Sequence, residues 1–420
     1  MVKIGIYVAS TQSGSAFLAD LVDQGHDVYG YFRGTSDHAQ EVMERIRGQG
    51  GVYLERPNEI GLGSRFVDIR EDQIGSDPKR LVDDCDMIVF PLPAIYQEES
   101  VHRLKDVGLT HKKRPVILAP GRSFPSPYLW RILGEGYPIV SFSTCPYSCK
   151  SPEPGRSLIK RRKRNWIGSW EGIFDGEDKK MIMNIWPQVL WTSLPGATTL
   201  NNIGAIFHPG PYILAWDEIE TERDGENISY YMDLIANRPE VGRTIEGIDQ
   251  MRLGIAVRIG LKTFGYSENP RENEWERTME GLRREETLLH DNPNKLRITR
   301  ASHLGDLSDA VISAQHWLDY TYGVRRKPNE PLHKAIERTP TYQNRSVPQG
   351  RYWREDIPVS LLPLVNLAQR LDIPNSDGMR ILDDFKEKAG IDPNGMQGAR
   401  NLEEFDDDYL VRYLKGELCW

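Results

Sequence analysis

The sequence predicts an α/β protein, with an N-terminal doubly wound Rossmann domain over residues 1–195 followed by a mainly α-helical domain over residues 196–420. Three observations carry this reading. Short apolar runs alternate with helical stretches through the first part, the pattern of βαβ units and a parallel sheet. The texture changes after Trp191-Thr192-Ser193-Leu194-Pro195-Gly196. Beyond that point apolar residues recur mostly at helical spacing.

The elements follow in order. Val2 to Val8 is a first strand and Ser13 to Gln24 a helix. Gly25-His26-Asp27 turns the chain into a second strand, Val28 to Phe32, and a helix fits Asp37 to Arg47. Val52 to Leu54 and Phe66 to Ile69 read as short strands. Asp86 to Phe90, Val116 to Ala119 and Ile139 to Ser143 read as strands of the buried sheet. In the second half, helices are expected over Thr244 to Phe264, Asp306 to Tyr322, Val359 to Leu371 and Met379 to Lys388. Pro/Gly-rich connections around Pro328 to Pro340 and Val347 to Gly350 separate them. No internal repeat is visible.

A chain of 420 residues has room for two to three domains. With 39% hydrophobic and 27% charged residues it has the composition of an ordinary soluble protein. A net charge of −8 argues against a nucleic-acid partner, and an anionic ligand must be drawn in by local Arg or Lys. The four cysteines, Cys85, Cys145, Cys149 and Cys419, match no zinc spacing, and no metal site is expected. Cys145 and Cys149 are one residue too far apart for a thioredoxin-type motif and read as free thiols. The chain enters a strand at once, and no apolar run approaches the ~20 residues that span a bilayer. A cytoplasmic protein with no membrane partner is expected, and a homodimer is the default assembly.

A dinucleotide fold usually carries three glycines after its first strand, so that the backbone can approach the pyrophosphate at a helix N-terminus. Here the turn is Ala9-Ser10-Thr11-Gln12-Ser13-Gly14, and only the third glycine is kept. The hydroxyls of Ser10, Thr11 and Ser13 either contact phosphate or cap the helix. After the second strand comes Arg33-Gly34-Thr35-Ser36, with no acid before Asp37. An acid there would hold the ribose hydroxyls of NAD, whereas Arg33 suits a 2′-phosphate, with Thr35 and Ser36 adding hydroxyls. NADP(H) is therefore favoured over NAD(H). Pro93 and Ala94 follow one strand, and Pro120-Gly121-Arg122 follow another, at the sheet end where ligands bind.

The candidate for proton transfer is His208, in Asn201-Asn202-Ile203-Gly204-Ala205-Ile206-Phe207-His208-Pro209. It falls just past the first domain, where two domains should meet. Its ring titrates near neutral pH. Pro209 biases the His208 backbone toward extended geometry and places it at a helix end or break. A carboxylate behind the ring would hold its tautomer. Asp356, in Arg354-Glu355-Asp356-Ile357-Pro358, is one candidate, and an ordinary helix N-cap is the competing reading. Asn201 and Asn202 are candidates to orient the substrate or the nicotinamide amide. Substrate carboxylates call for arginine, and Arg122, Arg252 and Arg300 are available, with Arg122 on a strand-end loop. Trp216 and Trp353 flank these segments as possible pocket walls.

His208-Pro209 after Asn201-Asn202, with Glu355-Asp356-Ile357-Pro358 about 150 residues later, resembles the opine dehydrogenase family. The likeness extends to the first strand and helix, Pro91-Leu92-Pro93-Ala94, Leu194-Pro195 and Leu361-Leu362-Pro363-Leu364. Octopine-type members share the Glu-Asp-Ile-Pro run. Val140-Ser141-Phe142-Ser143-Thr144, the basic strand and Trp166-Ile167-Gly168-Ser169 are similar to the staphylopine-type branch that makes metallophores, and Arg33 resembles that branch's NADPH-binding position. Both branches stay open, and the glycine-poor turn departs from both. The resemblance implies reductive condensation of an amino acid or amine with an α-keto acid through an imine, with His208 and Asp356 as the proton relay.

Two other readings stand beside it: a two-domain NADP-dependent hydroxy-acid dehydrogenase, and a nucleotide-binding sensor without catalysis. Lys160-Arg161-Arg162-Lys163-Arg164, the densest charge run, reads as a solvated edge strand or hairpin.

Overall fold

The structure, a computed structural model, describes residues 2–56, 63–163, 165–220, 228–266, 271–288, 307–325, 327, 329–348 and 350–420. The chain divides into two units, Met1–Pro195 with Leu282–Ser308 and Cys419–Trp420, and Gly196–Gly281 with Asp309–Leu418.

The first unit is a twelve-strand α/β assembly among the described residues. Its strands are β1 (Lys3–Ile6), β2 (Asp27–Tyr31), β3 (Gly51–Glu55), β4 (Arg65–Asp68), β5 (Ile74–Gly75), β6 (Met87–Phe90), β7 (Val116–Leu118), β8 (Ile139–Phe142), β9 (Tyr147–Lys150), β10 (Arg156–Arg162), β11 (Trp166–Glu171) and β12 (Val189–Thr192). Eight form one sheet in the order β12-β11-β8-β7-β6-β1-β2-β5. The chain winds outward from β1 in both directions, which puts the switch point between β1 and β6. β6 and β7 are wholly buried apolar runs and β8 is wholly buried with one serine, Ser141, as befits strands covered on both faces.

Helix α1 (Gln12–Asp23) starts where the Thr11 Oγ1 accepts the Gly14 amide at 2.9 Å. It buries Ala16, Phe17, Leu18 and Leu21. Helix α2 (Asp37–Gln49) is capped by Ser36 and ends on Gly50, whose φ of 78° is the left-handed stop that glycine adopts without strain.

Two expectations about the sheet are corrected. β11 runs antiparallel to β8, so the main sheet is mixed. The chain reaches β11 through the β9–β10 hairpin and not through a helical crossover, and an antiparallel return needs none. The basic run lies partly on β10, which forms a hairpin with β9, one of the two readings expected, but is no edge strand. It pairs with β3 on one side and β9 on the other, in a second sheet of order β4-β3-β10-β9. Arg164 lies outside the described residues.

The second unit is mainly helical, with a small parallel pair, β13 (Lys262–Phe264) and β14 (Ala310–Ile312). That pair corrects two helix boundaries. The long helix runs Pro239–Arg258 and stops before Gly260, whose φ is 83°. Thr263 and Phe264 then extend into β13. The helix expected from Asp306 starts only at Ala314, after the β-branched Val311-Ile312 strand, where Ser313 accepts the His316 amide. The segment expected as one helix from Val359 opens with a π-helical turn, Ile357–Leu361, before Leu362–Arg370. Pro358 and Pro363 lack the amides that a regular helical ladder would use. Helix Ser376–Ala389 agrees with its expected span to within three residues.

The long helix carries a buried clamp. Arg252 is fully buried and donates to Asp249 and to the carbonyls of Leu200 and Ile312, while Asp249 Oδ2 accepts the Ala314 amide at 2.8 Å. Substituting Arg252→Met should strand the Asp249 carboxylate and cost about 3–5 kcal/mol. Urea unfolding curves will read this loss, and the Asp249→Ala, Arg252→Met pair should lose less than the two single effects added together.

Candidate active site

In the first unit, a cavity of about 690 Å³ opens at the switch point. Val8, Ser10, Thr11 and Gln12 line it from the turn after β1, Arg33 and Ser36 from the end of β2, and Leu92 and Pro93 from the end of β6. Volumes of this order hold small molecules and cofactors. The glycine-poor turn is closed by other means. Thr11 Oγ1 donates to the Val8 carbonyl at 3.1 Å and accepts from Gly14. Val8 itself takes φ 58°, a conformation that strains a β-branched residue. Gly14 is indispensable where it stands, because a Cβ there would lie 2.4 Å from the Val8 carbonyl oxygen.

The guanidinium of Arg33 supplies the sign that an anionic ligand needs. Its Nε is buried and has no hydrogen-bond partner among the described residues. A cavity of the right size, a turn that only glycine fits at position 14 and an unpartnered cationic donor together fit a dinucleotide carrying phosphate. Ser10, Thr11, Gln12, Arg33, Ser36 and Pro93 are brought together. Ser13, Gly14, Thr35, Ala94 and Pro120 are not among the residues lining the cavity. Ser13 meets the Cys145 and Cys149 thiols at 3.8 and 3.9 Å. Gly14 and Ala94 are buried, Thr35 is exposed, and the Pro120 carbonyl accepts from Gln97 Nε2 at 2.8 Å. Arg122 does not line it either. The reading from sequence missed another wall, Ser151 to Arg156, which runs from the end of β9 into the start of β10. Nothing local in that segment marks it, because only the second sheet brings it there.

In the second unit, His208 Nδ1 lies 2.7 Å from Asp356 Oδ2, across 148 residues of chain. The imidazole is 18% exposed and the carboxylate 1%. His208 closes the short helix Gly204–Phe207 and opens Pro209–Leu214. It is at a helix break, as Pro209 implies, but its φ of −103° and ψ of −56° are helical and not extended. Asp356 stands before the π-helical turn and makes no capping hydrogen bond, so the N-cap reading does not hold. Its second oxygen lies 3.5 Å from Ser360 Oγ, which accepts from Asn202 Nδ2 at 2.8 Å.

Asn201 and Arg252 are corrected. The Asn201 amide donates to the carbonyls of Ala197 and Ala310 and accepts from the Ile312 amide at 3.0 Å, which uses its polar groups on backbone. Arg252 is internal, and Arg300 lies outside the described residues. Trp216 and Trp353 pack on each other, centroids 5.8 Å apart, and on Phe385. Tyr352, missed from sequence, stacks on His208 with centroids 3.6 Å apart and planes 5° apart. Beside it Arg351, whose side chain is 64% exposed, lies 3.4 Å from Glu355. The four cysteines are free thiols, and among the described residues no helix is long and apolar enough to cross a membrane.

A doubly wound α/β unit joined in one chain to a helical unit that carries a His–carboxylate pair fits an oxidoreductase of the nicotinamide-nucleotide class. Residues 195–380 match the family model described as NAD/NADP octopine/nopaline dehydrogenase, alpha-helical domain. The opine dehydrogenase of Arthrobacter sp. (strain 1C) is 24% identical over 399 residues, covering 93% of this chain and 91% of that protein. In fold, the chain is similar to octopine dehydrogenase in complex with NADH and agmatine, with a TM-score of 0.70, 14% identity and 98% of each chain covered. It is also similar to yersinopine dehydrogenase with NADP+ bound, with a TM-score of 0.61, 16% identity and 99% and 98% covered. Residues 195–380 thus carry the helical domain of that family model, and the curated relative, similar over nearly the whole chain, supports an oxidoreductase that uses NAD(P)H and acts on a CH–NH bond.

The saturated amide of Asn201 makes a stability prediction. Asn201→Ala should unpair the Ala310 carbonyl and the Ile312 amide, while the Ala197 carbonyl keeps the residue's own backbone amide, and cost about 2 kcal/mol. A chemical unfolding curve measures it, and cofactor affinity of the folded variant should stay as in the parent.

Proposed function

We propose that this chain is an opine dehydrogenase that condenses an amino acid or amine with an α-keto acid and reduces the resulting imine, preferring NADP(H) to NAD(H). The observation that carries this reading is the 2.7 Å contact between His208 and the buried Asp356.

The amine nitrogen attacks the keto carbon and gives a carbinolamine. Loss of its hydroxyl as water requires a proton, and the imidazolium of His208 is the donor. With Nδ1 hydrogen-bonded to Asp356, Nε2 is the nitrogen that delivers this proton and later takes one back. The buried carboxylate stabilises the charged ring without exchanging protons with water. The reduced nicotinamide supplies hydride when bound. The product is a secondary amine bearing the carboxylates of its two parents. Asn202 acts behind the pair, by holding Ser360 against Asp356.

Preference for the 2′-phosphate rests on Arg33, with Ser36 beside it and no acid at the end of β2. The cofactor is held by the turn at Ser10, Thr11 and Gln12, by Arg33 and Ser36 and by Pro93. Of the cations named from sequence for substrate carboxylate, Arg122 is the candidate kept. Arg351, next to the ring that covers His208, is a second candidate that the structure adds.

Two outcomes are expected. NADPH oxidation, followed by absorbance with product mass, should need both an amino substrate and an α-keto acid. It should fall by at least about a hundredfold in His208→Ala, while NADPH affinity is kept. Full-rate oxidation with the keto acid alone would overturn the condensation. Separately, Arg33→Ala should weaken NADPH by about tenfold or more and NADH by much less, measured by calorimetry. Equal losses would take Arg33 off the 2′-phosphate.

A further inference from the structure

Two features of the helical unit remain unexplained by a His–Asp pair alone. One is the ring of Tyr352, laid flat on the imidazole of His208 at 3.6 Å and 5°. The other is Tyr230, fully buried, whose hydroxyl donates to the His208 carbonyl at 2.6 Å. Tyr230 also meets the Tyr352 ring edge-on at 4.9 Å and 74°. One tyrosine therefore ties both the backbone of His208 and the ring that covers it.

A hydrogen bond to Asp356 fixes one nitrogen of an imidazole but leaves the ring free to swing about that bond. A face-to-face partner removes this freedom. We propose that Tyr352 is a positioning residue for His208: its ring holds the imidazole plane while Asp356 holds Nδ1 within that plane, so Nε2 keeps one direction and the imidazolium is stabilised by both. The negative face of an aromatic ring attracts a cation above it. Tyr352 presents that face as a neutral phenol, because burial pushes its ionisation upward. The same holds more strongly for Tyr230.

The groups around the two rings act with different signs. Asp356 favours the imidazolium, as does the Tyr352 ring. Arg345 and Arg351, which act on Tyr352, oppose it. Tyr212, Tyr230 and Tyr231 surround the pair as neutral phenols with raised ionisation. The inference rests on His208 as the proton donor proposed above. It adds that a donor fixed by Asp356 alone would spend part of its time misdirected, and misplacement by about 1 Å can cost about a hundredfold in rate.

The test is histidine NMR on the full-length, ligand-free protein, paired with steady-state kinetics. In the parent, the ring signals of His208, assigned with His208→Asn, should be displaced upfield by the Tyr352 ring. Tyr352→Leu should remove the displacement, lower the imidazole titration midpoint by about half to one pH unit and reduce kcat by about 10–100-fold with KM little changed. Tyr352→Phe keeps the ring and should restore all three to within about twofold. No upfield displacement in the parent overturns the proposal, even if the leucine variant does not fold. So does Tyr352→Leu with parental titration and kcat, or Tyr352→Phe with the leucine phenotype. Should the parent lack condensation activity yet show the displacement and its loss in Tyr352→Leu, the reaction proposed above fails and the positioning of His208 stands.

Discussion

The contact of His208 Nδ1 with Asp356 Oδ2 is the constraint around which the helical unit is arranged. A carboxylate at 1% exposure is costly unless its oxygens find partners. The imidazole takes one, and Ser360, itself held by Asn202, lies near the other. The local backbone departs from regular helix on both sides of this contact. His208 joins two short helices, and Asp356 stands before a π-helical turn. Prolines at 209 and 358 withdraw the amides that would have drawn either segment into a longer α-helix. The irregularity places two residues 148 positions apart within hydrogen-bond distance.

The nucleotide turn shows the same trade in the other unit. Without its first two glycines the turn keeps its shape by holding Val8 at positive φ, a strain of about 1–3 kcal/mol. Thr11 offsets part of this by capping α1 and bridging back to Val8. The cap and the phosphate contact foreseen as alternatives for Thr11 are compatible. The residue caps the helix and still lines the cavity.

Several features were legible because they are local. The alternation of runs gave the doubly wound sheet, the lone Gly14 marked the turn, and His208-Pro209 marked a helix break. Asp356 was legible only through the family's Glu-Asp-Ile-Pro run, since by spacing alone it looked like a cap. What escaped is non-local. Asn201 has the look of a site residue, yet three backbone partners absorb it, and two of them lie more than a hundred residues away. The short strands β13 and β14 were hidden inside longer helical periodicities, because three residues do not establish a period of two. Tyr352 carried no signal, since a ring stack across the fold leaves no spacing in the chain. The wall from Ser151 to Arg156 escaped for the same reason.

The electrostatics of the cavity follow from a conflict that the sequence already contains. The chain is acidic overall, at −8, and Glu41 and Glu153 stand on the cavity wall. Those charges repel any phosphate, so an anionic ligand must be held by short-range contacts and not by the overall field. Arg156 is engaged by Glu55 and Glu153. Arg33, by contrast, keeps a buried Nε without an acceptor among the described residues. An unmet donor costs about 1–3 kcal/mol, and folded proteins rarely retain one without use. A ligand oxygen arriving at that nitrogen removes the cost. The selectivity proposed for the 2′-phosphate thus rests on a cationic donor that a ligand oxygen can meet.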